Sequence, residues 1–337
     1  MKRIMIVGTA PYDRNCPSRA FESYFSGIES HNLAQIFSYP YVPPKGHCSK
    51  LYQITDAMML KRFFSRNAKV GKTYEINDLS ENGGMKTKST FERKQNSIIS
   101  LLYRYGKKDR PTTYLLRGLL WKKKNWCTKE LNEWLDSFKP ECVFLSFSDD
   151  FFILRIALYV AERFNIPIIS SIADDYYFNG KFSLSPFYYI YRGMYKSLVK
   201  RILKRKGSTA IYIGDRIKEL YNNTFGIRGI TLYLTSDIKR RPFRPINVKA
   251  PIISYYGNIR LGRNKSLIDI GSALKRINPD YYINVYSNES EFSYINSMKK
   301  AEGVVFHNAV PYEEVQKGML HIQLADNVKA HILQPDG

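Results

Sequence analysis

The sequence predicts an α/β fold made of parallel sheets and divided into two domains. The first observation is a regular alternation of short apolar runs with helical patterns between Pro140 and Leu234. The second is that this alternation starts again at Ile252, after a proline-containing stretch with little periodicity. The third is the length of 337 residues, which is more than one hydrophobic core comfortably supports. Strands that alternate with helices at this spacing are typical of Rossmann-like domains, in which ligands bind at the carboxyl ends of the strands.

The first Rossmann-like domain is predicted over residues 1–240. Its opening apolar run, from Lys2 to Val7, ends at Gly8 and predicts a buried parallel strand. Residues 67–95 are polar and include a Gly-Gly pair, so we expect a long loop there. The strands predicted in this domain are 2–7, 33–39, 142–147, 167–172, 209–213 and 230–234. The helices predicted in it are 96–105, 112–121, 128–138, 151–164, 187–205 and 215–225.

The second domain is predicted over residues 251–337 and follows a linker at 241–250 that contains two prolines. Its predicted strands are 252–256, 282–286 and 304–306, and its predicted helices are 265–277, 290–300 and 312–320. A sheet of so few strands has an unpaired edge and exposes apolar surface. We therefore expect this second Rossmann-like domain to be incomplete, or to be completed by another chain.

Cysteine and hydropathy patterns exclude several classes of protein. The four cysteines lack CxxC spacing, which argues against a zinc site or a disulfide framework and suits a reducing compartment. We therefore predict no metal site. The N-terminal apolar run is too short for a secretory signal, and no uncharged apolar stretch reaches the length of a membrane span. The sequence predicts a cytoplasmic protein, either soluble or peripheral to a membrane.

The charge is unevenly distributed along the chain. The net charge is +22, and residues 1–250 carry 43 basic and 21 acidic side chains, whereas the remainder is neutral. A basic half predicts an anionic partner, which is nucleic acid, anionic lipid or a phosphorylated substrate. Residues 195–206 have apolar positions at helical spacing, so we expect mainly core packing there. Residues 115–126 combine leucines, two tryptophans and three consecutive lysines, so we expect them to contact a membrane surface.

A strand, a glycine-bearing loop and a helix follow one another around Gly257. The loop and the first helical residues contain Asn258 and three bases, Arg260, Arg263 and Lys265. A helix N-terminus attracts phosphate through its dipole and its free N–H groups, and basic side chains add charge-assisted hydrogen bonds. These five residues form a candidate diphosphate site. The alternative is an ordinary strand–helix turn with solvated bases.

The same stretch resembles the opening of the C-terminal domain of GT-B-fold glycosyltransferases, in the family-four-like (group 1) polysaccharide-biosynthesis type. In that group a strand, a glycine loop and a basic residue before the helix bind the diphosphate of a sugar nucleotide. Arg263 falls where the group usually has a lysine, and Asn258 falls where it often has an arginine.

This resemblance implies a hexosyltransferase of bacterial cell-surface polysaccharide synthesis. Such an enzyme moves a sugar from a nucleotide-diphosphate sugar to a lipid-linked or glycan acceptor. The sugar nucleotide is then a substrate, and no other cofactor is implied. The basic first domain would face an anionic membrane surface, with the enzyme peripheral to the inner face of the cell membrane and no specific nucleic acid as partner.

Two stretches of the first domain carry the resemblance further. Gly8 and Thr9, with Ser18 and Arg19, resemble the loop that lines the acceptor side of the cleft in this group. The alternative is a tight turn in which Ser18 caps a helix.

The second stretch contains Asp174 and Asp175 at the end of a predicted strand, and it resembles the Asp-Asp-aromatic motif of polysaccharide-building relatives. The resemblance implies that these carboxylates orient an acceptor hydroxyl or act as the catalytic base. The alternative is helix or loop capping. At the end of the preceding strand, we expect Ser148 or Asp149 to cap a helix.

The resemblance covers most of the chain to about residue 320. His307 and Asn308 resemble the loop near the nucleotide base, but no glutamate follows Glu314 to hold the donor sugar. An inactive remnant or a binding module with this fold is therefore an alternative. A nucleic-acid-binding protein is a weaker alternative, since no zinc spacing, RNP-type segment or basic helix-turn-helix occurs. An NAD-type oxidoreductase is weaker still, because the lone Gly8 follows the first strand.

Overall fold

The structure is a computed structural model, and it describes residues 2–8, 11, 19–40, 47–75, 111–180, 182–233, 253–310 and 315. The chain divides into two compact units, Met1–Ser236 and Asp237–Gly337. Thr9, Ser18, the predicted linker and the predicted helix at 96–105 lie outside the described residues. The predicted helix at 312–320 also lies outside them, except for Val315.

In the described residues of the first unit, a sheet of eight strands forms the centre. Its strands are β1 (Ile4–Val7), β2 (Leu33–Phe37), β3 (Lys50–Gln53), β4 (Lys72–Glu75), β5 (Cys142–Ser146), β6 (Ile168–Ile172), β7 (Thr209–Tyr212) and β8 (Ile230–Thr231). They lie in the order β4-β3-β2-β1-β5-β6-β7-β8, and every neighbouring pair is parallel except β3 with β4. The strand order reverses between β1 and β5. Sheets of this type bind ligands in the crevice outside the carboxyl ends of the strands at such a reversal.

Helices pack against this sheet in the described part of the first unit. They are α1 (Arg19–Phe25), α2 (Asp56–Phe64), α3 (Pro111–Leu120), α4 (Lys123–Trp126), α5 (Lys129–Phe138), α6 (Phe151–Phe164), α7 (Pro186–Leu203) and α8 (Asp215–Phe225). Local signals set several of these ends. The Thr55 and Thr128 hydroxyls accept hydrogen bonds from amides in the first turns of α2 and α5, at 3.3 and 3.2 Å. Asn165, in the left-handed conformation with φ of 52°, ends α6.

The core lies on both faces of the eight-stranded sheet. Successive side chains of a strand point to opposite faces, so Met5 and Val7 join one apolar cluster, which includes Trp121. Ile6 joins the other cluster, where it packs with Phe21 of α1. The sequence of a strand that is buried on both faces is an uninterrupted run of apolar residues, and β1 has such a sequence.

The second unit contains a parallel sheet of three strands in its described part. The strands are β9 (Ile253–Tyr256), β10 (Ile283–Ser287) and β11 (Val304–Asn308), in the order β11-β10-β9, and they are joined by α9 (Arg263–Ile277) and α10 (Phe292–Lys300). Both helices cover one face, where Leu267 and Met298 pack with Val285. The two sheets confirm the α/β class with Rossmann-like sheets.

The structure departs from the predicted elements in several places. The predicted loop at 67–95 contains β4, which pairs antiparallel with β3. Neither β3 nor α2 was predicted, and β8 is shorter than the strand predicted at 230–234. In the described ranges, no helix combines the length and the apolar character needed to cross a membrane.

Candidate functional site

The carboxyl ends of β1 and β5 lie side by side, and Gly8 allows this close approach. Gly8 has a φ of 94°, in the left-handed region. A Cβ at this position would lie 2.7 Å from the carbonyl oxygen of Ser146 and 2.6 Å from the side chain of Ile153. Only glycine fits both constraints. A small pocket opens beside Gly8, and apolar side chains that include Ile54 and Phe152 line it.

The predicted acceptor loop is only partly described. Gly8 lies at this pocket, and Arg19 is the first residue of α1. Thr9 and Ser18 lie outside the described residues. The tight packing of Gly8 against β5 accounts for that glycine without a ligand, and the acceptor role of the loop stays a prediction.

An arginine joins two carboxylates near the carboxyl end of β5. Arg117, on α3, donates hydrogen bonds to both carboxylate oxygens of Asp56, at 3.1 and 2.9 Å, and it also pairs with Asp150. The indole N–H of Trp121 donates to Asp56 at 2.7 Å. The guanidinium also lies 4.7 Å from the centre of the Phe152 ring. We call Arg117, Asp56, Asp150 and Trp121 the Arg117 cluster.

Asp150 is the N-cap residue of α6, but its carboxylate pairs with Arg117 and makes no capping hydrogen bond. The hydroxyl of Ser148 accepts a hydrogen bond from the Asp150 amide at 3.3 Å. The N-cap residue of α6 is therefore Asp150 and not Ser148 or Asp149, although the Ser148 hydroxyl accepts an amide just before the helix. Burial, assisted by the charges of Asp149 and Asp56, raises the pKa of Asp150 to about 6 despite its pairing with Arg117. A carboxyl that titrates near neutrality at the end of a parallel strand is suited to proton transfer.

A second pocket lies beside Asp150. It is small, and its lining includes Arg117, Asp150, Tyr114 and Tyr191. The Tyr191 hydroxyl donates to the carbonyl oxygen of Asp149. Burial raises the pKa of Tyr191, so this hydroxyl stays protonated and serves as a donor. The wall of the pocket therefore combines a cation, an acid and two phenols.

Asp175 has the contacts of a turn-capping residue. Its Oδ1 accepts hydrogen bonds from the amides of Tyr177 and Phe178, at 3.2 and 2.9 Å, and from the hydroxyl of Tyr221, at 3.0 Å. Three donors leave Oδ1 little capacity for a substrate hydroxyl, whereas Oδ2 accepts no hydrogen bond among the described residues. These contacts favour the capping alternative for Asp175, and its catalytic role stays a prediction.

Asp174 is less engaged than its neighbour. Its Oδ2 accepts one hydrogen bond, from the hydroxyl of Tyr176 at 3.0 Å, and its side chain is half-buried. Burial and the charges of Asp174, Asp149 and Asp150 all raise the pKa of Tyr176. Asp149 and Asp150, which follow β5, and Asp174, which follows β6, therefore all act on the pKa of the Tyr176 phenol.

In the second unit, Asn258 stabilises the predicted diphosphate loop by hydrogen bonds to neighbouring residues. Its side-chain oxygen accepts a hydrogen bond from the amide of Arg260 at 2.7 Å, and its carbonyl oxygen accepts one from the Tyr255 hydroxyl at 2.7 Å. Leu261 and Gly262 then take left-handed conformations, with φ of 59° and 85°, and α9 begins. Asn258 thus shapes the loop through its own hydrogen bonds.

The first amides of α9 already have partners. The amides of its first three residues donate to carbonyl oxygens of the preceding loop: Arg263 to Arg260 at 3.2 Å, Asn264 to Ile259 at 2.9 Å and Lys265 to Gly262 at 3.0 Å. The Gly257 amide donates to Tyr286 at 3.0 Å. The expectation of free N–H groups is therefore wrong for these residues. An anion at this end of α9 would therefore interact with the helix dipole and with the side chains.

Arg260 is held by an acid. Its guanidinium donates two hydrogen bonds to the carboxylate of Glu289, at 2.6 and 2.7 Å. The Glu289 side chain is only 3% exposed, and it also accepts the amides of Ser290 and Glu291, at 2.8 and 2.9 Å. Arg260 and these amides lower the pKa of Glu289 to about 2. Arg260 was predicted to bind a diphosphate, and in this structure Glu289 accepts from two of its five N–H donors.

Arg263 and Lys265 are the cations that this loop presents. Among the described residues, no ion pair or side-chain hydrogen bond engages either of them. Lys265 is exposed and Arg263 is half-buried, at the positive end of the α9 dipole. Of the three predicted basic ligands, the structure therefore leaves these two available to an anion.

His307 and Asn308 are the last two residues of β11, although a loop was predicted there. His307 Nε2 lies 2.9 Å from the side-chain oxygen of Asn284, and the ring stacks on Tyr286 with 4.4 Å between centres. Tyr286 in turn stacks on Tyr256 at 4.7 Å. Strand register aligns the three rings in a row across the sheet, on the face opposite α9 and α10. Their role at a nucleotide base stays a prediction.

The described residues contain no group of three or more His, Cys, Asp or Glu side chains that could hold a metal ion. No motif in the sequence marks Asp56, Arg117 or Glu289 as members of a site. The pairs they form join residues 61 and 29 positions apart, and no local pattern marks such pairs. The available signal was indirect, because Arg117 interrupts an otherwise apolar stretch and Glu289 closely follows a predicted strand.

The fold and these sites define the class of protein. It is an α/β protein with two Rossmann-like sheets, which carries acids at the strand ends of the first sheet and basic side chains at the first helix of the second. No protein-family model matches the chain, and no curated protein matches it.

Proposed function

We propose that this chain is a glycosyltransferase that uses a nucleotide-diphosphate sugar, and that its second unit binds the donor. The observation that carries the proposal is the pair Arg263 and Lys265, which stand at the start of α9 directly after the first strand of a parallel sheet. Two cations and a helix dipole favour an anion at this point. A diphosphate matches this charge, and it is the part shared by all sugar nucleotides.

In this proposal Arg263 also acts during the reaction. Breaking the bond between the sugar and the diphosphate leaves additional negative charge on the leaving phosphate oxygens. A positioned guanidinium stabilises that charge through charge-assisted hydrogen bonds. Arg260, paired with Glu289, mainly positions the loop in this proposal.

The first unit binds the acceptor in this proposal, which is a lipid-linked or glycan hydroxyl at the inner face of the cell membrane. Among the predicted catalytic acids, Asp174 has the freer carboxylate, and Asp175 is engaged by three donors. Asp174 therefore orients the acceptor hydroxyl or accepts its proton. Asp150 is a further candidate for proton exchange at this end of the sheet, because its pKa of about 6 lies near neutrality.

The test is a transfer assay with a panel of UDP-, GDP- and dTDP-sugars and polyprenyl-linked sugar acceptors. We expect acceptor-dependent release of the nucleoside diphosphate from at least one donor. Asp174→Asn should reduce that rate strongly at unchanged donor affinity, whereas Asp175→Asn should mainly lower the fraction of folded protein. If none of the donors releases its nucleoside diphosphate, the proposal is contradicted. Equal rates for wild type and Asp174→Asn would contradict it as well.

A non-catalytic nucleotide-binding module is the second candidate. It is favoured by the engaged first amides of α9 and by the pairing of Arg260 with Glu289, since both reduce the groups available to a reacting phosphate. Such a module would bind a nucleotide diphosphate through Arg263 without any release of product. The transfer assay separates the two candidates when it is run beside a binding titration.

A further inference from the structure

A row of exposed bases lies at the amino ends of the strands in the first sheet. They are, in strand order, Lys2 before β1, Lys139 before β5, Lys204 and Lys206 before β7, and Arg228 before β8. All five residues are exposed, and among the described residues no ion pair or side-chain hydrogen bond engages them. We call these five residues the amino-end face.

Hydrogen bonds between neighbouring loops hold this edge of the sheet together. The Arg3 guanidinium donates to the carbonyl oxygen of Lys139 at 2.8 Å. The Arg205 guanidinium donates to two carbonyl oxygens at and beyond the end of α6, at 3.2 and 2.9 Å. The Thr209 hydroxyl donates to the carbonyl oxygen of Arg228 at 3.2 Å. The bases of the amino-end face are therefore carried by loops that are tied to one another.

The positive charge of this face is not neutralised by its surroundings. Three acids near these loops each form an ion pair with an arginine outside the face: Glu141 with Arg3, Glu162 with Arg201 and Asp136 with Arg163, at 3.8, 3.0 and 2.7 Å. The helices α5 to α8 also end at this edge, and each helix end contributes about half a negative charge. Five bases against roughly two negative charges leave the amino-end face positive.

The opposite edge of the same sheet is rich in acids. The acids that follow strands at their carboxyl ends are Asp56, Asp149, Asp150, Asp174, Asp175 and Asp215. A strand of five residues spans roughly 16 Å, which is longer than the Debye length of about 8 Å at physiological salt. The two edges therefore act on charged partners independently, and a polyanion is attracted to the amino-end face and not to the acidic edge.

The two basic stretches found in the sequence contribute differently to this surface. Trp121 and Trp126, which suggested a membrane contact for residues 115–126, are buried at 0% and 1% exposure. That expectation is wrong for these two aromatic side chains. Residues 195–206 pack their apolar positions in the core, as predicted, and they supply two lysines of the amino-end face.

We propose that the amino-end face binds the phosphodiester backbone of nucleic acid without reading its sequence. The row of bases crosses four strand spacings, about 19 Å, and duplex DNA carries about eleven phosphate charges over this length of its axis. A lipid bilayer fits less well, because Ile230 is the only large apolar side chain that is exposed at this edge in the part of the chain that the structure describes. The proposal does not rest on the proposed function, since the face lies at the edge of the sheet away from the strand end that carries Asp174.

The test measures the fluorescence anisotropy of a labelled DNA duplex of about 20 base pairs and arbitrary sequence, titrated with the full chain at several salt concentrations. We expect binding at about 0.1 M salt, with an affinity whose logarithm falls linearly with the logarithm of the salt concentration. Because Lys204 and Lys206 are exposed, the double change Lys204→Glu and Lys206→Glu should leave the fold intact. It should weaken binding about tenfold or more and reduce the salt slope by about two.

The matched control is the double change Lys299→Glu and Lys300→Glu, at two exposed lysines that end α10 in the second unit, with the same change in net charge. It should weaken binding less than about threefold. Equal losses for both double variants overturn the proposal, because they show that net charge alone attracts the DNA. Absence of DNA binding by wild type at about 0.1 M salt also overturns it. So does a loss of binding to phosphatidylglycerol vesicles by the Lys204 and Lys206 variant at unchanged DNA affinity, because that result assigns the face to a bilayer.

Discussion

The guanidinium of Arg117 donates two hydrogen bonds to the two carboxylate oxygens of Asp56, at 3.1 and 2.9 Å, across 61 residues of chain. The same guanidinium pairs with Asp150 at the start of α6. One cation thus connects α2, α3 and α6 beside the carboxyl ends of the strands. Its removal would leave two carboxylates near each other without a counter-charge.

The first prediction follows from this contact. Arg117→Ala should lower the free energy of unfolding by about 2 kcal/mol, less than for a fully buried pair because these side chains are partly exposed. Chemical denaturation measures the difference. Arg201→Ala is the matched control, since its pair with Glu162 is exposed on both sides and should contribute less than about 1 kcal/mol. Equal losses for both variants would contradict this account.

The second prediction concerns the pH dependence of stability through Asp150. Its pKa is raised to about 6 in the folded protein and lies near 4 in an unfolded chain, so the folded state binds more protons between these values. Its contribution to stability is present below about pH 4 and is lost as the pH rises to about 6. Between about pH 4 and pH 6, the free energy of unfolding of wild type should therefore fall by about 2 to 3 kcal/mol relative to that of Asp150→Asn. Denaturation curves of both proteins at several pH values check this, and a pH-independent difference would refute it.

The third prediction has the opposite sign and concerns Glu289. Its pKa is lowered from 4.5 to about 2, mainly by Arg260, so its contribution is present above pH 4.5 and is lost as the pH falls toward 2. The amides of Ser290 and Glu291 report on this locally because they donate to the Glu289 carboxylate. Their NMR shifts should titrate with a midpoint near 2 in wild type and should not titrate there in Glu289→Gln. A midpoint close to 4.5 would show that the pair with Arg260 does not form.

The fourth prediction tests the close approach of β1 and β5. Gly8→Ala forces a Cβ to within 2.7 Å of the Ser146 carbonyl oxygen at a left-handed φ, so we expect a loss of about 2 kcal/mol or more. Gly193→Ala in α7 is the control, since a Cβ there has nothing within 4 Å. That change should stabilise the protein by about 0.5 to 1 kcal/mol. Thermal unfolding of both variants measures the contrast, and a neutral Gly8→Ala would refute it.

Much of the central fold could be predicted because its strands are buried on both faces. The run from Cys142 to Ser146 is a continuous apolar strand, and its helix and next strand follow at short distances. Strand β4 could not be predicted in this way, because it is a mostly exposed edge strand of polar composition. Its existence depends on pairing with β3, which is a contact between distant parts of the chain.

The sites show the same division. The positions of Asp174 and of the loop at Gly257 followed from strand ends, which local pattern reveals. The partners of their side chains did not, because pairing across elements has no sequence period. The resemblance favours Arg263 over Arg260, but only the structure shows that Glu289 engages Arg260 and not Arg263. The structure likewise distinguishes Asp174 from Asp175, because three donors bond to the Asp175 carboxylate and one bonds to that of Asp174.

The central claim is that the second unit binds the diphosphate of a sugar nucleotide through Arg263. Calorimetric titration of the full chain with UDP, GDP and their sugar conjugates tests it most directly. We predict that at least one of these ligands binds, that Arg263→Ala weakens its binding about tenfold or more, and that Arg276→Ala, at the other end of α9, leaves it unchanged. Absence of binding for every ligand, or equal affinity for wild type and Arg263→Ala, would contradict the claim.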